Sequence, residues 1–135
     1  MQKLKYIKYL GIDWGKKRIG LALADSETKI AIPFKVVSDI KEILNIVKEE
    51  EINEIIIGLP VKMSGAKDEQ LEVYKNFVQH LKRRSGIAVR TIDERLTTKE
   101  ANALAGSKRT KARQDAIAAM LILQGYLETI YARNS

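Results

Sequence analysis

Four acidic residues stand where a charge is costly. Asp13 closes the apolar run Tyr9-Leu10-Gly11-Ile12, and Asp93 and Glu94 follow a short apolar segment from Ile87 to Ile92. Asp115 opens Ala116-Ile117-Ala118-Ala119-Met120-Leu121-Ile122-Leu123. A carboxylate at the end of a buried strand must be paired, hydrogen-bonded or bound to a metal. Acids drawn from distant parts of one chain suit metal-assisted hydrolysis. Their oxygens bind Mg2+ or Mn2+, and two such ions about 4 Å apart hold the attacking water and the leaving oxygen of an in-line displacement. Basic residues flank the acids: Lys16-Lys17-Arg18 follow Asp13, while Lys108-Arg109, Lys111 and Arg113 precede Asp115. Cations so placed neutralise the phosphates on either side of a scissile one.

Each acid also has a plainer role open to it. Asp13 can accept hydrogen bonds from turn amides, as strand-end aspartates often do. Asp115 can face the N-terminal end of a helix macrodipole, worth a few tenths of a kcal/mol. Either Asp93 or Glu94 can pair with Arg95, and strand alternation sends the two to opposite faces without saying which face holds Asp13. At helical spacing, positions 118, 119 and 122 share a face with Asp115, so that acid is expected to point toward a sheet.

The elements that must carry these residues follow from periodicity. Residues 5–13 and 18–25 read as strands joined at Trp14-Gly15-Lys16-Lys17, and a third strand spans 29–37, with Pro33 marking an edge or a bulge. Ser38 is the expected N-cap of a helix carrying Ile40, Ile43, Leu44 and Val47. Residues 54–59 form a buried strand that runs into a Gly-Leu-Pro loop. A helix with Leu71, Tyr74, Val78 and Leu81 on one side stops near Gly86, and a strand spans 87–92. Thr97 and Glu100 have capping-box spacing for a short helix, and a long helix begins at about Lys111. Three meandering strands followed by strand-helix units predict an α/β domain, a mixed sheet with helices on its faces. With 135 residues, a single domain over 1–135 is expected.

Composition narrows the classes. Lys and Arg number 24 against 17 Asp and Glu, a net charge of +7 that suits a polyanionic partner. Basic residues also cluster at Lys82-Arg83-Arg84, whereas Glu49-Glu50-Glu51 with Glu54 reads as a solvated helix end. The absence of cysteine excludes a disulfide framework, a thiolate metal site and a cysteine nucleophile together. The first residues lack the apolar core of a signal peptide, and no stretch has the length and apolarity of a membrane span, so a cytoplasmic protein is expected.

Four motifs, in order, closely resemble the YqgF/RuvX family of Holliday-junction-resolvase-like proteins. They are Leu10-Gly11-Ile12-Asp13-Trp14-Gly15-Lys16-Lys17-Arg18-Ile19-Gly20, Ile57-Gly58-Leu59-Pro60 with Gly65, Asp93-Glu94-Arg95-Leu96-Thr97-Thr98, and Asp115-Ala116-Ile117-Ala118-Ala119. The resemblance implies an RNase H-like fold: a five-stranded mixed sheet, its first three strands antiparallel, with helices on both faces. It implies a divalent-metal nuclease (Mg2+ or Mn2+) acting on the 5′ end of the precursor of 16S ribosomal RNA, with Asp13, Glu94 and Asp115 as catalytic metal ligands and Asp93 as the alternative to Glu94. Lys16, Lys17, Arg18, Lys62, Arg95, Lys108, Arg109, Lys111 and Arg113 are then the nucleic-acid contacts. Lys16 replaces a frequent threonine and Lys62 a frequent asparagine.

Two other activities share this chemistry or this surface. A resolvase of four-way DNA junctions would place two such sites on a homodimer, whereas a monomer suffices for RNA cutting. A non-catalytic RNA-binding assembly factor would gain nothing from acids beside phosphates. The first hairpin also resembles the phosphate-binding turn of sugar kinases and actin-like ATPases, but those need two domains, and no Gly-Lys-Ser/Thr follows Gly58. His80 is the only histidine, which excludes a zinc site by ligand supply. Trp14 either stacks on a base or covers the sheet edge.

Overall fold

A computed structural model describes residues 6–59, 69–93 and 111–132. Their order is β1 (Lys8–Asp13), β2 (Ile19–Asp25), β3 (Ile32–Val37), α1 (Ile40–Glu49), β4 (Glu54–Leu59), α2 (Glu69–Ser85), β5 (Ala88–Asp93) and α3 (Lys111–Ala132). The short helix expected at Thr97 to Glu100 lies outside the described residues.

The strands form one sheet in the order β3-β2-β1-β4-β5. β1, β2 and β3 pair antiparallel, while β4 lies parallel to β1 and β5 parallel to β4. β1 is therefore central, which explains why both of its faces are apolar. Leu10 and Ile12 face the core beneath α1 and α2, together with Ile55 and Ile57 of β4. Tyr9 faces the core beneath α3, with Ala22, Ala24 and Ile56. Helices thus cover both faces, and the middle strands read as unbroken apolar runs because neither side meets water.

Several boundaries differ from the sequence expectation for local reasons. The third strand begins at Ile32 rather than Lys29, because Asp25 ties the preceding turn. Its Oδ1 accepts from the amides of Glu27 (2.9 Å) and Thr28 (2.8 Å), and Lys29 turns with φ 60°. β3 is an edge strand with an irregular register, Lys35 opposite Leu21 but Pro33 opposite Ala22, which is the bulge that a proline without an N–H needs. The N-cap of α1 is Asp39, not Ser38: Asp39 is extended (φ −152°, ψ 171°) and its Oδ1 accepts from the Glu42 amide at 3.0 Å. Ser38 supplies the return half of the cap, its amide and hydroxyl donating to the Glu42 carboxylate at 3.1 and 3.0 Å.

α1 ends in the acidic run. Glu51 adopts φ 55°, the Glu51 amide donates to the Lys48 carbonyl (3.2 Å) and the Ile52 amide to the Val47 carbonyl (2.9 Å), a Schellman motif that buries Ile52. α2 ends at Gly86, whose φ of 71° suits glycine. α3 lies across β1 to β4 with Ala119, Ile122, Leu123 and Leu127 on the sheet.

Candidate metal and nucleic-acid site

Asp13 is the last residue of the central strand, half-buried, and its register partner across the hairpin is Gly20. That glycine decides where α3 can sit. A Cβ at Gly20 would collide with the main-chain carbonyl of Asp115, so the first turns of α3 rest directly on β2 beside Asp13. A second close approach supports the first: a Cβ at Gly11 would stand 2.8 Å from Leu123 Cβ and 3.0 Å from the Ala119 carbonyl. Gly11, Gly20 and Ala22 thus give α3 a shallow bed, and Ala119 presents a small side chain in return.

As a result Asp13 and Asp115, remote in sequence, line one open cleft of about 260 Å³ with Trp14, Gly15, Lys16, Lys17 and Arg18. Arg18 donates from Nε to Asp115 Oδ2 at 2.7 Å; the Asp115 side chain is 25% exposed and that of Arg18 44%. Lys16 and Lys17 are exposed on the turn above them. Asp115 sits one turn into α3, past the first turn where the macrodipole favours an anion, so that plainer role does not account for it. The cleft therefore juxtaposes two hard oxygen donors with three cations on one hairpin.

The remaining candidates divide three ways. Asp93 ends β5 and is exposed; Ile92 packs in the α3-side core whereas Leu59 and Val89 pack in the opposite one, so alternation and the Leu59–Asp93 pairing put Asp93 on the face away from Asp13. Arg113 is exposed on the first turn of α3. Glu94, Lys62, Arg95, Lys108 and Arg109 lie outside the described residues, as does the side chain of Lys111. Among the described residues no group of three acids or histidines is close enough to hold a metal ion, and Asp13 with Asp115 are two of the trio expected.

Trp14 is 8% exposed, edge-on to Tyr74 (centroids 5.6 Å) and tilted against Phe77 (6.1 Å), so it packs into the core beneath α2 at the end of the central strand instead of covering a sheet edge. The reading of acids and cations passed over Gly20 and Gly11, which carry no chemistry but bring helix and strand together. Their signal was the small-residue alternation Gly20, Ala22, Ala24 on one face of β2.

With this geometry in view, the sequence model of RuvX, described as "Holliday junction resolvase", matches residues 7–129. The chain belongs to the RuvX family. A relative from Rickettsia conorii is 36% identical over 135 residues, covering 92% of this chain and 88% of its own, and is named "Putative pre-16S rRNA nuclease". A relative from Anaeromyxobacter sp. carries the same name at 36% identity, covering 93% of this chain and all of its own. Among solved structures, Thermus thermophilus RuvC superposes with a TM-score of 0.61 at 12% identity, covering 93% of this chain and 97% of that one. RuvC in complex with a Holliday junction substrate gives 0.60 at 14% identity, covering 93% and 96%. At such identities the likeness is one of fold: this RuvX chain has the RNase H-like architecture of RuvC. No helix among the described residues is long and apolar enough to cross a membrane.

Proposed function

We propose that this chain is a divalent-metal-dependent nuclease that hydrolyses a phosphodiester bond in the precursor of 16S ribosomal RNA. The observation that carries the reading is the shared cleft of Asp13 and Asp115 beneath a hairpin of three cations. The substrate assignment leans on the names of the Rickettsia and Anaeromyxobacter relatives. Net charge of +7 agrees with a polyanion.

The residues present fit a hard cation. Mg2+ usually takes one or two protein carboxylates and completes its shell with waters and substrate phosphate oxygens, and the described cleft supplies two. Glu94 is proposed as the third ligand because Asp93, the alternative, lies on the face away from Asp13. Bound there, a divalent ion supplies Lewis-acid activation of the phosphoryl group and of water. Asp13 and Asp115 hold it at the end of the central strand. Lys16, Lys17 and Arg18 grip the phosphates around the scissile one, and Lys62, Arg95, Lys108, Arg109, Lys111 and Arg113 are proposed to extend that grip along the strand. A cytoplasmic location and a single domain complete the proposal.

Cleavage of a precursor RNA by the purified protein, with Mg2+ or Mn2+ and with chelator, tests it. Asp13→Asn is expected to abolish cutting while retaining the fold and much of the RNA binding. An Asp13→Asn chain that cuts as fast as the parent refutes the assignment. A four-way DNA junction belongs in the same assay, since the family description names that substrate. Paired junction cuts by a dimer would transfer the proposal from RNA to DNA.

A further inference from the structure

The turn at Trp14 to Lys16 is a wall shared by two depressions. One is the acid cleft. The other is a groove of about 340 Å³ on the opposite side of the turn, where Lys16, Ile40, Val73, Asn76, Phe77 and His80 meet between the start of α1 and the middle of α2. Val73 is 43% exposed there and presents an apolar side chain to the groove. Trp14, held against Phe77, closes one side with an aromatic surface.

We infer that this groove receives one unpaired nucleobase of the strand whose phosphate lies in the acid cleft. The inference rests on the nuclease reading above. Its volume is at the small end of ligand pockets, which suits a single base with part of its sugar and excludes a helix or a duplex. Its chemistry is that of a base: an apolar strip of Val73 and Phe77 along one face of α2 for the flat face, and Asn76 with His80 offering donors and acceptors to the edge. Bases splayed out of a strand are held in this way, by stacking and edge hydrogen bonds. Continuity selects the occupant. Lys16 lines both depressions, so a phosphate held there has one neighbour over the two acids and another nucleotide over the groove. The Asp39 carboxylate, at the groove margin and engaged in capping α1, repels the backbone from that side and leaves the phosphate to Lys16.

Trp14 is the sole tryptophan, and its emission reports on both depressions. The test uses the full chain carrying Asp13→Asn, so that binding is measured without cutting, and an eight-nucleotide single-stranded RNA in which each base in turn is replaced by an abasic site. One position is expected to weaken binding by roughly tenfold on loss of its base and to lose most of the Trp14 emission change. Adding Val73→Tyr, which fills the groove from an exposed position, should bring the intact RNA down to the abasic affinity and erase the positional effect. A uniform response along the RNA, or a positional effect that survives Val73→Tyr, overturns the inference while leaving the nuclease reading standing. The abasic scan keeps the question decidable should Val73→Tyr disturb folding. Failure of both the parent and Asp13→Asn chains to bind any RNA or junction would instead remove the reading beneath it.

Discussion

Arg18 Nε lies 2.7 Å from Asp115 Oδ2, so one proposed metal ligand is already held by a cation of the same cleft. A carboxylate cannot give one lone pair fully to both a guanidinium and a metal ion, and the two must compete or divide its oxygens. Both partners reach solvent, which keeps the competition modest, below about 1 kcal/mol. Arg18→Gln is therefore expected to raise Mn2+ affinity by roughly threefold in calorimetry. It should also weaken RNA binding and flatten its log-salt slope by about one counterion. Lower metal affinity in the variant would mean that Arg18 instead holds Asp115 in place for the metal.

Gly20→Ala tests the steric device. Its methyl group would meet the Asp115 carbonyl, which is backbone and cannot swing aside. α3 must lift or tilt, at a cost of about 1–3 kcal/mol in stability by chemical denaturation. The shift also carries Asp115 away from Asp13, and displacements of about 1 Å cost on the order of a hundredfold in rate. Turnover should fall far more than the folded fraction does. A variant that loses stability and keeps its rate would detach α3 seating from the chemistry.

The strands and helices were legible because their signals are local. β1 is apolar on both faces, β4 is a β-branched run, and α2 repeats Tyr74, Val78 and Leu81 at helical spacing. Pro33 announced an edge strand and a bulge by its missing N–H. The N-cap slipped from Ser38 to Asp39 because both are good caps, and the choice turns on which can reach the Glu42 amide. Of the site, Asp13 and Asp115 were readable as acids in apolar settings. Their meeting was not, since it depends on a glycine opposite one and beneath the other. The face of Asp93 was not readable either, since strand parity needs one known contact on β5 before it assigns a face.

Glu51 closes α1 in the left-handed region at φ 55°, a conformation that costs a residue with a side chain about 1 kcal/mol. It also crowds Glu49 and Glu50 in sequence. Glu51→Gly should relieve the backbone strain while keeping the Ile52 and Val47 hydrogen bond, with part of the gain lost to the freer unfolded chain. A net stabilisation of about 0.5 kcal/mol is expected, read as a higher denaturation midpoint at unchanged slope. A lower midpoint would show that the Glu51 side chain contributes more than its conformation costs.

Tyr9 sets the alkaline limit of the α3-side core. Burial pushes its hydroxyl well above the ordinary tyrosine range, and the hydrogen bond to Tyr131 (2.9 Å between the hydroxyl oxygens) adds to the rise. Its proton is held more tightly in the folded chain than in the unfolded one. The resulting stability is complete below pH 10, the unfolded value, and is lost as pH climbs from there toward the folded value. Tyr126, edge-on to Tyr9 at 6.2 Å, is raised by burial as well and contributes in the same direction. Denaturation midpoints taken from pH 8 to pH 11 should therefore fall at the upper end. Tyr9→Phe, at a cost of about 1 kcal/mol for the lost hydrogen bond at neutral pH, should make the decline shallower without abolishing it. Parallel curves for the two proteins would mean that Tyr9 ionises no differently in the fold than in the open chain, and the alkaline sensitivity would have to come from elsewhere in the core.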